Sequence, residues 1–201
     1  VERFGRIDTL INNAQVSKSG TPLVEHSKED FDMAIFSGLY ATFYYMKACY
    51  PYLKITEGSI INYSLQTNGT LIDEDFCKFF KENNFLIGVS VDGEKALHDK
   101  QRSKSFDEAM QGIGLLKKHS VEFNILSVIT AKTDASRLFD FYMENDFRDV
   151  QPIYCLDNLD GTKADYSLDA KQLARFKKRL FNLWFSEVSK GNHFYVRDFD
   201  N

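Results

Sequence analysis

The chain has 201 residues, enough for one compact domain, and 43% hydrophobic content with 18 Phe and 10 Tyr supports an aromatic-rich core. A net charge of −4 gives no basic footprint for nucleic acid, and no apolar run reaches membrane-spanning length. Three widely spaced cysteines, Cys49, Cys77 and Cys155, point to reduced thiols in a cytoplasmic setting rather than to disulfides or a metal site, and no secretory leader is visible.

Residues 6–13, RIDTLINN, read as a short strand opening into amides. Residues 26–50 read as one long helix. Ser27 with Asp30 caps it, Phe31, Ile35, Leu39, Phe43 and Met46 form its buried stripe, and Pro51 stops it. Residues 58–66 read as one continuous central or near-central strand, buried through Ile60, Ile61 and Tyr63, which runs into a polar turn ending at Gly69. Asp73 caps the next helix, with Phe76, Phe79 and Phe80 inward and Asn83-Asn84 at its end.

Residues 85–91, FLIGVSV, read as a buried strand ending at Asp92-Gly93. Ser105 with Glu108 makes a capping box for a helix that turns Ala109, Met110, Ile113 and Leu116 inward. A strand over 121–130, a helix over 135–144 and a strand over 150–156 follow. After a polar loop, Ser167 caps the longest helix, whose stripe is Leu173, Phe176, Leu180, Leu183, Trp184 and Val188, and Gly191 closes it before a short strand over 194–197.

This alternation gives six strands and five helices. Strands apolar on both faces and joined by helices specify an α/β fold with a parallel sheet, either a partial (β/α) barrel or an open Rossmann-like sheet. Residues 1–201 are expected to form a single domain. Ligands of such sheets bind beyond the carboxyl ends of the strands. Those ends carry Asn12-Asn13, Gln66-Thr67-Asn68, Ser90 with Asp92, Thr130, Leu156-Asp157 and Arg197-Asp198. Such groups could hydrogen-bond a nucleoside, but helix caps and turns are the weightier reading of them. His26, His98, His119 and His193 are scattered, Asp198 and Asp200 read as loop charges, and Tyr44 with Lys47 sits mid-helix.

Two resemblances follow from particular stretches. FGRIDTLINNA, EDFDMAIFSGLYATFYYMKACYPYLK and GSIINYS resemble the middle of a short-chain dehydrogenase, over about residues 1–64. The resemblance implies that Asn13 and Ala14 line a nicotinamide cofactor, NAD(P). The upstream Gly-rich phosphate turn and the Tyr-x-x-x-Lys motif are missing, Gln15 stands for a family Gly, and Gly38 stands for a family Asn.

SLQTNGTLIDEDF, FFKENNFLIGVSVDG, HDKQR, SFDEAMQGIGLLKKH, VEFNILSVIT and YSLDAKQLARFKKRLFNLWF resemble radical S-adenosylmethionine enzymes of the anaerobic sulfatase-maturating type, over about residues 65–201. That resemblance implies Ser90, Arg102 and Leu156 as S-adenosylmethionine contacts and Gln66 near substrate. Arg102 is read as a loop arginine whose loss leaves the fold nearly unchanged. The family's CxxxCxxC loop, which holds a [4Fe–4S] cluster through three thiolates, is not in this sequence.

The seam falls at residues 62–65. The expectation is a non-catalytic hybrid α/β scaffold with no cofactor of its own. The alternatives are a truncated radical oxidoreductase of the kind that matures sulfatases and a weak S-adenosylmethionine or nucleotide-binding module. No nucleic-acid or membrane partner is expected, and an exposed sheet edge invites self-association.

Overall fold

The computed structural model describes residues 3, 5, 7, 10–12, 16, 23–54, 63–155, 162 and 166–199. The chain divides into two compact units, Val1–Ile61 and Asn62–Asn201, with the boundary beside the expected seam.

In the first unit a short 3-10 turn, Leu23–Glu25, leads into helix α1, Lys28–Ile35. The Ser27 cap forms as expected: Asp30 N–H donates to Ser27 Oγ at 3.1 Å and Ser27 N–H to Asp30 Oδ2 at 3.0 Å. The helix then widens into a π segment, Phe36–Tyr40, before helix α2, Ala41–Lys54. At the segment's end Ala41 N–H reaches back to the Phe36 carbonyl. Pro51 does not stop the helix but lies within its last turns. One missing N–H so near the end costs a single bond rather than a run of them.

The expected buried stripe is not buried: Phe31, Leu39 and Phe43 are all more than half exposed. An apolar stripe is covered only where another element packs on it, and the described residues of this unit supply no strand and no second long helix. Leu10, Ile11 and Asn12 carry no strand, and Ile11 is 80% exposed.

The second unit is the α/β part. Its order is β1 (Tyr63–Thr67), α3 (Glu74–Glu82), β2 (Phe85–Ser90), α4 (Lys95–Gln101), α5 (Phe106–Lys118), β3 (Glu122–Ile129), α6 (Ala135–Glu144), β4 (Asp149–Tyr154), α7 (Ala170–Val188) and β5 (Tyr195–Val196). The five strands are parallel and lie in sequence order, β1-β2-β3-β4-β5. Right-handed crossovers that always step the same way put every helix on one face. A Rossmann sheet instead reverses direction at a switch point. The described strands therefore have partial-barrel topology, with the helices of this unit on one face. Of the expected strand over 58–66, residues 58–62 lie outside the described residues. Its remainder, β1, pairs only with β2 among them and so is an edge strand rather than a central one.

The core lies on the helix side. Ile87, Val89, Ile125 and Ile129 are fully buried there, with Ile113 and Leu116 of α5, Leu138 and Tyr142 of α6 and Leu180 of α7. Several local expectations change in detail. Asp73 caps α3 as read, with Phe76 N–H at 2.8 Å from Oδ1, and Asn83 follows its last residue. The buried pair of α3 is Cys77 and Phe80, while Phe76 and Phe79 are about half exposed; Phe76 stacks on Phe80, and Phe79 meets Phe85, which stacks on Tyr63.

Ser105 makes no capping box. Phe106 N–H at the start of α5 donates to Asp99 Oδ1 of α4 at 3.0 Å, which frees the Ser105 hydroxyl to donate to the Arg102 carbonyl at 2.8 Å. Asp169 and Gln172, not Ser167, make the capping box of α7. Its stripe turns inward from Leu173 to Trp184, but Val188 at its end is exposed, and Trp184 Nε1–H donates to the Phe194 carbonyl at 2.8 Å.

Candidate functional site

The strand register decides which polar groups meet on the face opposite those helices. Gln66 lies opposite Gly88, Gly88 opposite Asn124, Ser90 opposite Leu126 and Leu126 opposite Gln151. Residues in register on a parallel sheet point to the same side. Ser64, Gln66, Leu86, Gly88, Ser90, Asn124, Leu126 and Gln151 therefore share the face opposite the helices of this unit, where Gly88 and Leu126 are buried.

Most polar groups at the carboxyl ends are committed to local structure. Thr67 Oγ1 accepts from Gly69 N–H at 3.1 Å and Asn68 Oδ1 from Thr70 N–H at 3.2 Å, so both close the turn after β1. Thr130 N–H donates to Thr133 Oγ1 at 3.0 Å in the turn after β3. Asp198 accepts from the Tyr154 hydroxyl at 2.8 Å and pairs with Lys177 at 2.9 Å. Gln66, Asn124 and Ser90 differ: among the described residues none of their side chains makes a hydrogen bond.

Arg102 ends α4 and turns its fork inward. Nε donates to Asp92 Oδ2 at 2.7 Å and Nη2 to Asp92 Oδ1 at 3.0 Å. Asp92 is 1% exposed, and its Oδ1 also accepts from Val128 N–H of β3 at 2.9 Å. Its own N–H donates to Nδ1 of the fully buried His98 at 3.3 Å, and the His98 Nε2 lies 3.2 Å from Ser105 Oγ. Because Ser105 gives its proton to the Arg102 carbonyl, the network fixes His98 as the neutral Nε2–H tautomer. Burial lowers the His98 pKa, partly offset by the Asp92 charge. Arg102 is thus first a structural pair for a buried carboxylate. Its Nη1 makes no bond to a described residue, and the side chain is 26% exposed. This network was not legible in the sequence, where Asp92 read as the end of a strand.

Ser90 and Gln66 therefore stand on the face opposite the helices. Leu156, Asn13 and Ala14 lie outside the described residues. A groove of about 990 Å3 opens along the amino halves of β2 to β5, with Leu86, Glu122, Asn124, Gln151 and Arg197 in its wall. It lies away from the Ser90 rim.

The three cysteines do not fit an iron–sulfur cluster. Cys49 is on α2, Cys77 is buried on α3 with its thiol pKa raised by burial, and Cys155 follows β4. A cluster needs three thiolates converging on one site. Among the described residues no group of His, Cys, Asp or Glu is placed to hold a metal ion, and none of their helices is long and apolar enough to cross a membrane.

The family model for Enoyl-(Acyl carrier protein) reductase matches residues 1–74. A 12alpha-hydroxysteroid dehydrogenase from Clostridium sp. is 64% identical over 64 residues, 32% of this chain and 25% of that protein. The cysteine-type anaerobic sulfatase-maturating enzyme of Clostridium novyi is 43% identical over 148 residues, 69% of this chain and 40% of that enzyme. The chain is thus similar to two families over two different stretches. A solved structure of native anSMEcpe with bound AdoMet and Kp18Cys peptide superposes with a TM-score of 0.70 at 36% identity, covering 83% of this chain and 48% of that one. The chain spans about 40% of the length of the sulfatase-maturating relatives it matches. The dehydrogenase-like match runs past residues 62–65 to residue 74, so the two likenesses overlap where the compact units divide.

Proposed function

We propose that the chain is a non-catalytic hybrid α/β scaffold whose sheet keeps weak affinity for S-adenosylmethionine on the face opposite its helices. One observation carries this reading: Ser90 and Gln66 stand uncommitted on that face, whereas the CxxxCxxC loop that holds the family's cluster is not in this sequence. The Ser90 hydroxyl can donate to, or accept from, a ligand at the end of β2. Arg102 offers only its remaining guanidinium edge, since Asp92 takes the fork. Affinity should therefore be weak, about millimolar, equivalent to about −4 kcal/mol.

A second reading, the core of a radical oxidoreductase completed by further polypeptide, draws support from the 43% identity to the sulfatase-maturating enzyme. Anaerobic reconstitution with iron and sulfide, followed by a 5′-deoxyadenosine assay under strong reductant, separates the two. The scaffold reading expects neither visible cluster absorbance nor product. Reproducible 5′-deoxyadenosine from the purified chain would overturn it. Calorimetric titration with S-adenosylmethionine, repeated with Ser90→Ala, tests the binding claim, and undiminished affinity in that variant would reject the Ser90 rim.

A further inference from the structure

Gly69 closes the turn after β1 in a place that suits only glycine. Its φ is +79°, a left-handed conformation that glycine takes without strain. It is buried, and a Cβ there would lie 2.8 Å from Val89 Cγ1 and 3.6 Å from the Ala109 backbone of α5. Asn68 before it is exposed, and its side chain is tied into the turn. Its Oδ1 accepts from Thr70 N–H at 3.2 Å and from Thr70 Oγ1 at 3.0 Å. The turn thus favours an asparagine followed by a glycine, the one such pair in the chain. That pair has an intrinsic chemistry. With no side chain on Gly69 to hinder it, the Gly69 nitrogen can close a succinimide ring on Asn68 Cγ.

We propose that Asn68 is a modification site, a deamidation centre that the folded turn holds shut and that opening of the turn releases. In the closed turn neither reacting group is free to approach the other. Gly69 N–H donates back to Thr67 Oγ1 at 3.1 Å, while Asn68 Oδ1 is held forward by Thr70. The Gly69 carbonyl is fixed as well. It accepts from Ile72 N–H at 3.4 Å and lies 2.2 Å from where a Cβ on Gly112 of α5 would sit. Ring closure therefore waits for local opening. The chemistry then needs only water. The Gly69 nitrogen loses its proton and bonds to Asn68 Cγ, the Cγ–Nδ2 bond breaks, and ammonia leaves with that proton. Water adds to one of the two ring carbonyls and breaks its bond to nitrogen, which yields aspartate or isoaspartate. Aspartate keeps an acceptor for Thr70 and the same main-chain length. Isoaspartate routes the main chain through Cβ and Cγ and lengthens it by an atom, so Gly69 cannot hold its place between Val89 and α5.

The test incubates the full chain at mildly alkaline pH, folded and in denaturing urea, and follows loss of Asn68 by peptide mapping with mass spectrometry. The folded chain should lose Asn68 at least about tenfold more slowly than the unfolded chain, since only its open fraction reacts. Thr67→Val removes the acceptor of the Gly69 N–H. It should speed the loss in the folded chain and leave the rate in urea unchanged. Asn68→Asp should keep the urea midpoint of the parent chain, whereas the isoaspartate fraction, separated by chromatography, should unfold at lower urea. No product at residue 68 in urea, equal rates in the two states, an unchanged rate in folded Thr67→Val, or an isoaspartate fraction as stable as the parent would each overturn the proposal.

Discussion

Arg102 and Asp92 form a two-pronged ion pair, 2.7 and 3.0 Å long, in which the carboxylate is almost wholly buried and also holds the backbone of Val128. The pair joins the end of α4 to the end of β2 and to β3. Removing one partner of such a pair leaves a buried charge uncompensated, which costs more than the pair itself contributes. Arg102→Ala should therefore destabilise the fold by about 3 kcal/mol, the low end of the usual range, because the arginine is partly exposed. Urea denaturation checks it. An unchanged midpoint would restore the reading of Arg102 as a loop residue free for ligand.

His98 sets a pH dependence of known sign. Its ring takes a proton near pH 6.5 when unfolded and only at lower pH when folded, because burial disfavours the charged form. Between those values the unfolded chain holds more protons. The His98 contribution is thus fully present above about pH 6.5 and is lost as pH falls toward the folded value. Protonation would also put an N–H on Nδ1 against the Asp92 N–H. His98→Gln keeps a donor and an acceptor but cannot titrate. Its urea midpoint should fall less between pH 7.5 and 5.5 than that of the parent chain, and identical slopes would remove His98 as the cause.

Burial separates two substitutions on strands β1 and β3 of the same sheet. Ile125→Ala empties a fully buried site on β3 and should cost about 2–5 kcal/mol. Leu65→Ala on edge strand β1 removes a side chain that is 41% exposed and should cost less than half as much. Equal losses in urea melts would mean that β1 is covered on its helix side.

Two glycines of α5 should respond oppositely to alanine. A Cβ on Gly112 would lie 2.2 Å from the Gly69 carbonyl oxygen, a backbone atom that moves only with its loop. Gly114 has nothing within 4 Å of that position. Gly114→Ala should raise stability by about 0.5–1 kcal/mol through helix propensity, and Gly112→Ala should lower it. Thermal melts decide, and a stabilised Gly112→Ala would show that the α5–Gly69 approach is looser than its geometry.

The sequence alone determined what depends on near neighbours along the chain. Hydrophobic periodicity located β2, β3, α6 and α7 to within a residue or two, and the Asp73 and Ser27 caps were legible because a cap acts within one turn. The likeness of the two stretches was also readable, since it rests on residue order. Tertiary structure decided the rest. The stripe of Phe31, Leu39 and Phe43 spells a buried face, yet only a packed partner buries a stripe. Asp99 displaced Ser105 as the cap of α5 because the chain folds a carboxylate from the preceding helix onto that terminus. Arg102 found Asp92 through a contact that spans ten positions of sequence, and pairing with Gly88 brought Gln66 and Asn124, 58 positions apart, into one register. Strand register and the one-sided helix layer fix those distances, and no local pattern encodes either.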